Sequence, residues 1–144
     1  MKNLGYLLNS SAKLIKYQLN KRLEEENFTA TQWAVIKDLQ MLEEQKAHDN
    51  QYMSVSIAGR LDMDKPTISG VVKRLLEKGF IQKLPHPTDK RAHILQLTEQ
   101  TKEILPTLEK KSEETISVAL QGFSEKEISE LTSYLVRINM NLKD

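Results

Sequence analysis

The 144-residue chain contains no cysteine, which removes several classes of protein at once. Without thiols there is no disulfide framework, no thiolate zinc site and no thiol redox switch, which is compatible with a reducing compartment. The sequence also lacks any apolar run near the roughly 20 residues that a membrane-spanning helix needs. Its N-terminus lacks the basic start, apolar run and small-residue cleavage site of a secretory signal. We therefore expect a soluble, cytoplasmic protein, and the length suits a single domain.

Catalytic motifs are also missing from the sequence. There is no glycine-rich phosphate loop, no serine or cysteine nucleophile motif and no His-Glu-x-x-His. The three histidines, His48, His86 and His93, have no metal-ligand spacing among them. The prediction is therefore a protein that is not an enzyme and that uses no metal or cofactor.

The net charge is only +1, but the charges are unevenly placed. Residues 60–94 have a net charge of +4, whereas residues 1–59 are balanced and residues 95–144 have a net charge of −3. A local excess of Lys and Arg is what neutralising nucleic-acid phosphates requires. Chance fluctuation in a highly charged chain is the alternative, so the charge needs support from other patterns.

Helical periodicity begins near the N-terminus, over residues 4–23. Leu7 and Leu14 widen the apolar stripe beyond what packing against one partner needs, so this helix can face both its own core and a second chain. The stripe itself consists of Leu4, Leu8, Ser11 or Ala12, Ile15, Leu19 and Leu23.

A second helix is predicted from a capping box of Thr29 and Gln32 and a hydrophobic staple of Phe28 and Trp33. The polar stretch 43–51 is predicted to be a loop. The predicted core face of the helix consists of Trp33, Ile36, Leu39 or Gln40, and Leu42 or Glu43.

The next two helices form a helix-turn-helix pattern. Ser54 is predicted to cap the third helix, Asp62-Met63 to make the turn, and Asp64 to cap the fourth helix, which ends at Gly79. Gly59 lies inside the third helix at a cost of about 1 kcal/mol relative to Ala, so that position needs either close packing or a bare surface. The residues predicted to face inward are Ile57, Ala58, Leu61, Ile68, Val71, Val72, Leu75 and Leu76.

After Gly79 the periodicity changes from helical to alternating. Residues 80–85 and 94–97 are predicted to pair as a hairpin with a long tip, residues 86–92. Such a hairpin must lean on the helices, because an isolated two-stranded unit is marginally stable at best. The predicted fold is mainly α with a small β-hairpin wing (α+β).

Two long helices are predicted to complete the chain. Thr98 opens the fifth, which contains Pro106 and runs to about Leu120, and Ser124 with Glu127 forms a capping box for the sixth. The fifth has Ile104, Leu105, Leu108, Ile116 and Ala119 on its inner face. The sixth has a seven-residue apolar repeat that suits packing against other helices: Ile128, Leu131, Leu135, Ile138 and Leu142.

The exposed face of the fourth helix suits the major groove of DNA, which admits one α-helix. Thr67 and Ser69 can bond base edges, Gly70 permits close approach, and Lys73 and Arg74 can reach guanine or phosphate. An ordinary solvated face is the alternative. The predicted DNA-binding residues of the helix-turn-helix are Ser54, Arg60, Lys65, Pro66, Thr67, Ser69, Gly70, Lys73 and Arg74.

The hairpin tip adds Asp89, Lys90 and Arg91 to the predicted DNA-binding residues. An Arg at a hairpin tip suits the minor groove, where the negative potential is enhanced when the groove is narrow. We expect the Asp89 carboxylate to hold the Arg91 guanidinium in a fixed orientation. A solvated charged turn is the alternative.

Together these motifs resemble the MarR family of bacterial regulators. The similar segments are the run from Leu61 to Gly79, with its opening Asp64-Lys65-Pro66-Thr67-Ile68-Ser69, and the wing, Asp89-Lys90-Arg91 followed by Leu97-Thr98-Glu99. The resemblance covers nearly the whole chain. The sequence departs from the family pattern at Gly70, where a larger polar residue is common, and at Thr101, where Gly is frequent. We expect the Thr101 departure to have little effect.

The resemblance implies a single domain, residues 1–144, with a winged helix-turn-helix lobe at about 30–97. Residues 1–26 and 98–144 would form dimerisation helices, and the homodimer would bind inverted-repeat half-sites about 10 base pairs apart. The implied function is a sequence-specific DNA-binding transcriptional regulator, a repressor released by a small molecule. A winged-helix module for protein contacts, without DNA binding, is the alternative.

Many members of this family bind a small phenolic or other aromatic effector between the dimerisation helices and the DNA-binding lobe. In this sequence Tyr17, Trp33 and Ile36 are the residues that could line such a pocket. Trp33 is equally well explained as a core residue of the second helix.

Overall fold

A computed structural model describes residues 3–143, so the predicted outer bounds, residues 1 and 144, lie outside the described residues. The predicted fold class, mainly helical with one small hairpin, is confirmed. Two short 3-10 turns, Glu24–Glu26 and Asp49–Tyr52, join the regular elements. These elements are α1 (Leu4–Leu23), α2 (Ala30–Gln45), α3 (Ser54–Arg60), α4 (Lys65–Glu77), β1 (Ile81–Pro85), β2 (His93–Leu97), α5 (Glu99–Ala119) and α6 (Glu125–Leu142).

The start of α2 organises the core. The predicted capping box is present: the Thr29 hydroxyl accepts from the Gln32 amide at 3.1 Å, and the Gln32 side chain accepts from the Thr29 amide at 3.1 Å. Phe28, just before the cap, stacks on Phe80 with 4.2 Å between ring centroids. This stack joins the entry of α2 to the base of the hairpin. The other large buried side chains of the core are Leu23, Trp33, Val35, Ile36, Leu39, Leu42, Ile57, Ile68, Leu75, Ile81, Leu95, Leu97, Leu105 and Leu108.

Two expectations about α2 need correction. Val35 is fully buried although it was not predicted to face the core, because helices pack on α2 from more than one side. The predicted loop 43–51 is largely helical: α2 continues to Gln45, and a 3-10 turn follows at Asp49–Tyr52. The Tyr52 hydroxyl anchors that turn by donating to the Leu42 carbonyl at 2.9 Å.

The helix-turn-helix forms much as predicted. Asp64 caps α4 by accepting from the Thr67 amide at 2.7 Å, and its hydrogen bonds with Thr67 lower the pKa of its carboxyl. Gly79 has a φ of 78°, as expected for a left-handed helix end. The prediction for Ser54 is wrong: it is the first residue of α3, the cap position is Met53, and no side chain caps this helix.

The hairpin pairs β1 with β2 in antiparallel register, Ile81 opposite Leu97 and Pro85 opposite His93. Ile81, Leu95 and Leu97 are buried against the helices, so the hairpin leans on them as expected. Its far end, residues 86–92, projects away from the core as a loop that is mostly exposed.

α5 is tied to the base of the hairpin by two threonines. The hydroxyl of Thr98, the predicted cap residue, donates to the Gly79 carbonyl at 2.8 Å, and that of Thr101 donates to the Phe80 carbonyl at 2.6 Å. Thr101, where the sequence departs from the family pattern, is fully buried, so its side chain has a structural role at this junction. Further along α5 the predicted inner face is wrong, because Ile116 and Ala119 are exposed and Thr115 is buried instead.

The helices at the two ends of the chain bury little within one subunit. Within the described residues, α6 has no buried side chain and α1 has only Leu23. The predicted Ser124–Glu127 capping box is present, so α6 begins where the sequence indicated. None of the described helices combines the length and the apolar character needed to cross a bilayer.

Candidate nucleic-acid interface

α4 presents a polar and basic face outward. Ile68 and Leu75 are buried on its inner side, which fixes the rotation of the helix. The opposite side is exposed over two turns and consists of the predicted DNA-contacting residues Lys65, Pro66, Thr67, Ser69, Gly70, Lys73 and Arg74. A major groove admits one α-helix, so an exposed helical face of this kind can enter it.

Gly70 lies in the middle of this face. A Cβ built at this position meets no atom of the protein within 4 Å, so the packing of the chain does not require glycine there. A Cβ at Gly59 in α3 also meets no atom within 4 Å. Of the two predicted explanations for Gly59, the bare surface is therefore correct and close packing is not.

Six basic side chains around α4 and the hairpin are free for an anionic partner. Within the part of the chain that the structure describes, none of them forms an ion pair with an acidic side chain. By contrast, Lys78 donates to the Asn27 carbonyl and to the Gln32 side chain. The six are Lys65, Lys73, Arg74, Lys83, Lys90 and Arg91.

Arg60, which is also predicted to contact DNA, does not belong to this free set, because its guanidinium is bonded within the chain. Its guanidinium donates to both carboxylate oxygens of Asp38, at 3.0 and 2.8 Å. It also donates to the side chain and the carbonyl of Gln51, at 2.8 and 2.7 Å. Four of its five N–H groups are therefore used inside the chain, and Arg60 fixes α3 against α2.

The hairpin tip is ordered by its own side chains. The Asp89 carboxylate accepts from the Arg91 backbone amide at 3.0 Å, and the Asp89 carbonyl accepts from the Ala92 amide at 3.1 Å. The predicted pairing of Asp89 with the Arg91 guanidinium is absent among the described residues. The Asp89 carboxylate bonds the backbone N–H of Arg91 instead of its side chain. Asp89 therefore shapes the loop and leaves the Arg91 guanidinium exposed.

Two residues that the sequence analysis did not select connect the tip to the body of the protein. The His86 ring bonds the backbone amides of Thr88 and Asp89 on one side and Asn50 on the other. Asn50 lies in the Asp49–Tyr52 turn. A ring nitrogen followed by amides two and three residues later is the geometry of an Asx or Ser/Thr turn, and that spacing was the available signal.

The three predicted effector residues lie in different environments. Trp33 and Ile36 are core residues, whereas Tyr17 is 57% exposed and lies under the Lys21 ammonium group on α1. Neither of the two best-formed cavities in the described structure includes any of the three. The larger cavity, about 520 Å³, lies between α1 and the C-terminal helices and is lined by apolar side chains together with Ser11, Gln18, Arg22 and Thr115.

The apolar residues that remain exposed are concentrated on the terminal helices. Apart from Met41 and Val55, every exposed large apolar side chain among the described residues lies in α1, α5, α6 or the α5–α6 connection. They include Leu4, Leu7, Leu14, Ile116, Val118, Phe123, Leu135, Val136, Met140 and Leu142.

The sequence of this chain is similar to those of known regulators of the helix-turn-helix type. Residues 28–93 match the family model described as the MarR family. Over 87 residues the chain is 33% identical to YybA of Bacillus subtilis (strain 168), described as an uncharacterized HTH-type transcriptional regulator. That alignment covers 60% of this chain and 58% of YybA, so the chain matches little more than half of that relative's length.

Solved structures match over almost the full length. The transcriptional regulator SlyA superposes with a TM-score of 0.82 at 26% identity, covering 98% of this chain and 94% of SlyA. MepR of S. aureus, solved as a complex with DNA, superposes with a TM-score of 0.85 at 19% identity, covering 99% of this chain and 100% of MepR. Because the identity to MepR is low, this match supports only the similarity of the fold. YybA and SlyA are both described as transcriptional regulators, not as enzymes.

Proposed function

Because the chain belongs to the MarR family of winged helix-turn-helix transcriptional regulators, we propose that it binds an inverted-repeat operator as a homodimer and acts as a repressor. The observation that carries this proposal is the pairing of an exposed, unpaired basic face on α4 with an Arg-bearing hairpin tip in the same lobe. That pair of features suits simultaneous contact with a major groove and the adjacent minor groove. MepR, which has the same fold, was crystallised with DNA.

We further propose the domain organisation on which this function depends. Residues 30–97 would form the DNA-binding lobe of a single domain, and the helical segments 1–26 and 98–144 would form the dimer interface. The core described above draws on both terminal segments, since α1 contributes Leu23 and α5 contributes Leu105 and Leu108. The lobes and the terminal helices would therefore move as coupled parts of one unit.

The surface area of one subunit supports the homodimer. The chain exposes 10359 Å², whereas a compact monomer of 16.6 kDa is expected to expose about 7,600 Å². The excess is about 2,800 Å² per subunit, or about 5,500 Å² for two subunits, which lies at the upper end of the roughly 2,000–5,000 Å² or more that an obligate homodimer buries in total. The exposed apolar side chains lie on α1, α5 and α6, so a second copy of the chain covers them best.

Release by a small molecule is the remaining part of the proposal. The cavity between α1 and the C-terminal helices is mostly apolar and has one basic side chain, Arg22, in its lining. An aromatic carboxylate has the matching chemistry, with an apolar ring and a charge that Arg binds in a fork. This step can be tested with a panel of aromatic carboxylates, measuring whether each compound displaces the bound operator. The Arg22→Ala variant should not respond to them.

Selection of bound duplexes from a random pool tests the main proposal. We expect enrichment of an inverted repeat with half-site centres about 10 base pairs apart. The affinity should fall with salt at a slope of about −0.9 per contacted phosphate. If no duplex is enriched, and if the chain binds another protein with an affinity that does not depend on salt, the alternative of a winged-helix protein-interaction module is favoured.

A further inference from the structure

The His86 imidazole is the central hydrogen-bonding group of the hairpin tip. Its Nδ1 atom lies 3.1 Å from the Thr88 amide nitrogen and 3.0 Å from the Asp89 amide nitrogen. Its Nε2 atom lies 2.7 Å from Oδ1 of Asn50, in the Asp49–Tyr52 turn. One ring therefore closes the tip on one side and attaches it to the body of the protein on the other.

The two backbone amides determine which ring nitrogen carries the proton. An amide N–H can only donate, so Nδ1 must accept and has to be unprotonated. A neutral imidazole has one N–H, which is then on Nε2 and donates to the Asn50 side chain. The Thr88 hydroxyl, 3.5 Å from Nδ1, can donate or accept and does not decide the tautomer.

The tip depends on this arrangement through Asp89. The Asp89 amide donates to the His86 ring, and the Asp89 carboxylate accepts from the amide of Arg91. Two hydrogen bonds thus connect the ring to the backbone of Arg91. If His86 became doubly protonated, its Nδ1–H would face two other N–H groups, and the tip could not keep this conformation.

We propose that His86 is a positioning residue for DNA binding, which holds the Arg91 backbone in place as the neutral imidazole and releases the tip on protonation. The inference rests on the proposed DNA-binding function. It predicts that acidification weakens operator binding, although adding positive charge to the protein would by itself strengthen it. The direction of the pH effect therefore separates a positional role from simple charge attraction.

Other charged or titratable groups surround this ring and must be controlled. In the tip these are Asp89, Lys90 and Arg91, and His93 begins the strand that follows. In the Asp49–Tyr52 turn, Asp49 precedes Asn50, and His48 accepts from the Asn50 amide at 3.2 Å. His48 and His93 are also imidazoles close to this ring, so each requires its own variant.

Operator affinity at pH 7.5 and 5.5 provides the first test. For the wild type we expect binding about tenfold weaker at pH 5.5, the effect of losing one or two hydrogen bonds. His86→Asn should bind more weakly at pH 7.5 and lose this acid effect. His93→Asn and His48→Asn should retain it. Equal or stronger wild-type binding at pH 5.5, or an acid effect that survives in His86→Asn, would overturn the proposal.

Nuclear magnetic resonance of the free protein tests the same inference without DNA. Ring nitrogen spectra should show the Nε2–H tautomer of His86, and the amide signals of Thr88 and Asp89 should titrate together with that ring. An Nδ1–H tautomer would refute the inference even if the operator binds tightly. Correct ring spectra with no duplex binding at either pH would instead refute the proposed function.

Discussion

The Arg60 guanidinium donates two parallel hydrogen bonds to the Asp38 carboxylate, which joins the first helix of the helix-turn-helix to α2. Both side chains are largely shielded, with 29% and 12% of their areas exposed, so solvent screens the pair only partly. The backbone carbonyl of Gln51 completes the site. The position of α3, and through the turn that of α4, therefore depends on a basic residue whose guanidinium is bonded within the chain.

Arg60→Ala should lower the free energy of unfolding by about 1–3 kcal/mol, because the Asp38 carboxylate is left partly buried without its partner. Urea unfolding measures this loss. The salt slope of operator binding should stay unchanged. A slope reduced by about 0.9 would show that Arg60 neutralises a phosphate and that the assignment to α2 is incomplete.

Asp64→Ala should lower the thermal unfolding temperature at neutral pH, because the Thr67 amide loses its cap. The folded-state pKa of Asp64 lies below its ordinary value of 3.8. Its stabilising effect is therefore fully present above that value and is lost as the pH falls through the lower folded-state pKa. Asp64→Asn should keep the cap but lose this acid dependence; calorimetry between pH 2 and 7 distinguishes the two variants.

How much of the interface could be predicted depended on the range of the interactions. The caps at Thr29, Asp64 and Ser124 each bond the amide three residues further along, so the local sequence contained the whole motif. Arg60 bonds Asp38, which is 22 residues distant, and spacing along the chain cannot reveal that pairing. The face of α4 was predicted correctly, because helical periodicity fixes it once the buried side is known.

The hydrogen bonds of Thr101 and Asp89 were also not predicted from the sequence. Thr101 was judged by its difference from a family pattern, but its importance comes from the Phe80 carbonyl that folding brings within 2.6 Å. Asp89 is predicted to pair with the Arg91 guanidinium, whereas its carboxylate accepts from the Arg91 backbone amide. The Thr101 contact spans 21 residues and is not visible in local spacing, but the Asp89 bond spans two residues and is typical of a turn.

Thr67→Ala and Lys73→Ala should change the preferred operator sequence as well as the affinity. Both side chains are exposed on α4, where they can reach base edges. Each lost base contact is expected to cost about 1–3 kcal/mol at one position of the site. Duplex selection repeated with each variant measures this preference. If affinity falls equally for all sequences, α4 contacts only the phosphates.

Arg91→Ala should weaken duplex binding and leave the homodimer intact, because the guanidinium is exposed and lies far along the hairpin from α1 and α6. Affinity measured at moderate salt, together with sedimentation, tests both parts. Lys126→Ala removes an exposed positive charge from the start of α6 and serves as the matched control. Equal affinities for the two variants would exclude the wing from DNA binding.

Gly70→Ala should stabilise the protein and weaken its binding to the operator. An alanine inside a helix is worth roughly 0.5–1 kcal/mol over glycine, and the added Cβ meets no atom within 4 Å. Glycine at this exposed helical position therefore gains nothing for the fold, and under the proposed function it would give clearance for the floor of the major groove. Gly5→Ala in α1, where the added Cβ makes only an ordinary 3.5 Å contact, controls for the stability gain. If both variants gain stability and both keep full operator affinity, the groove does not approach Gly70.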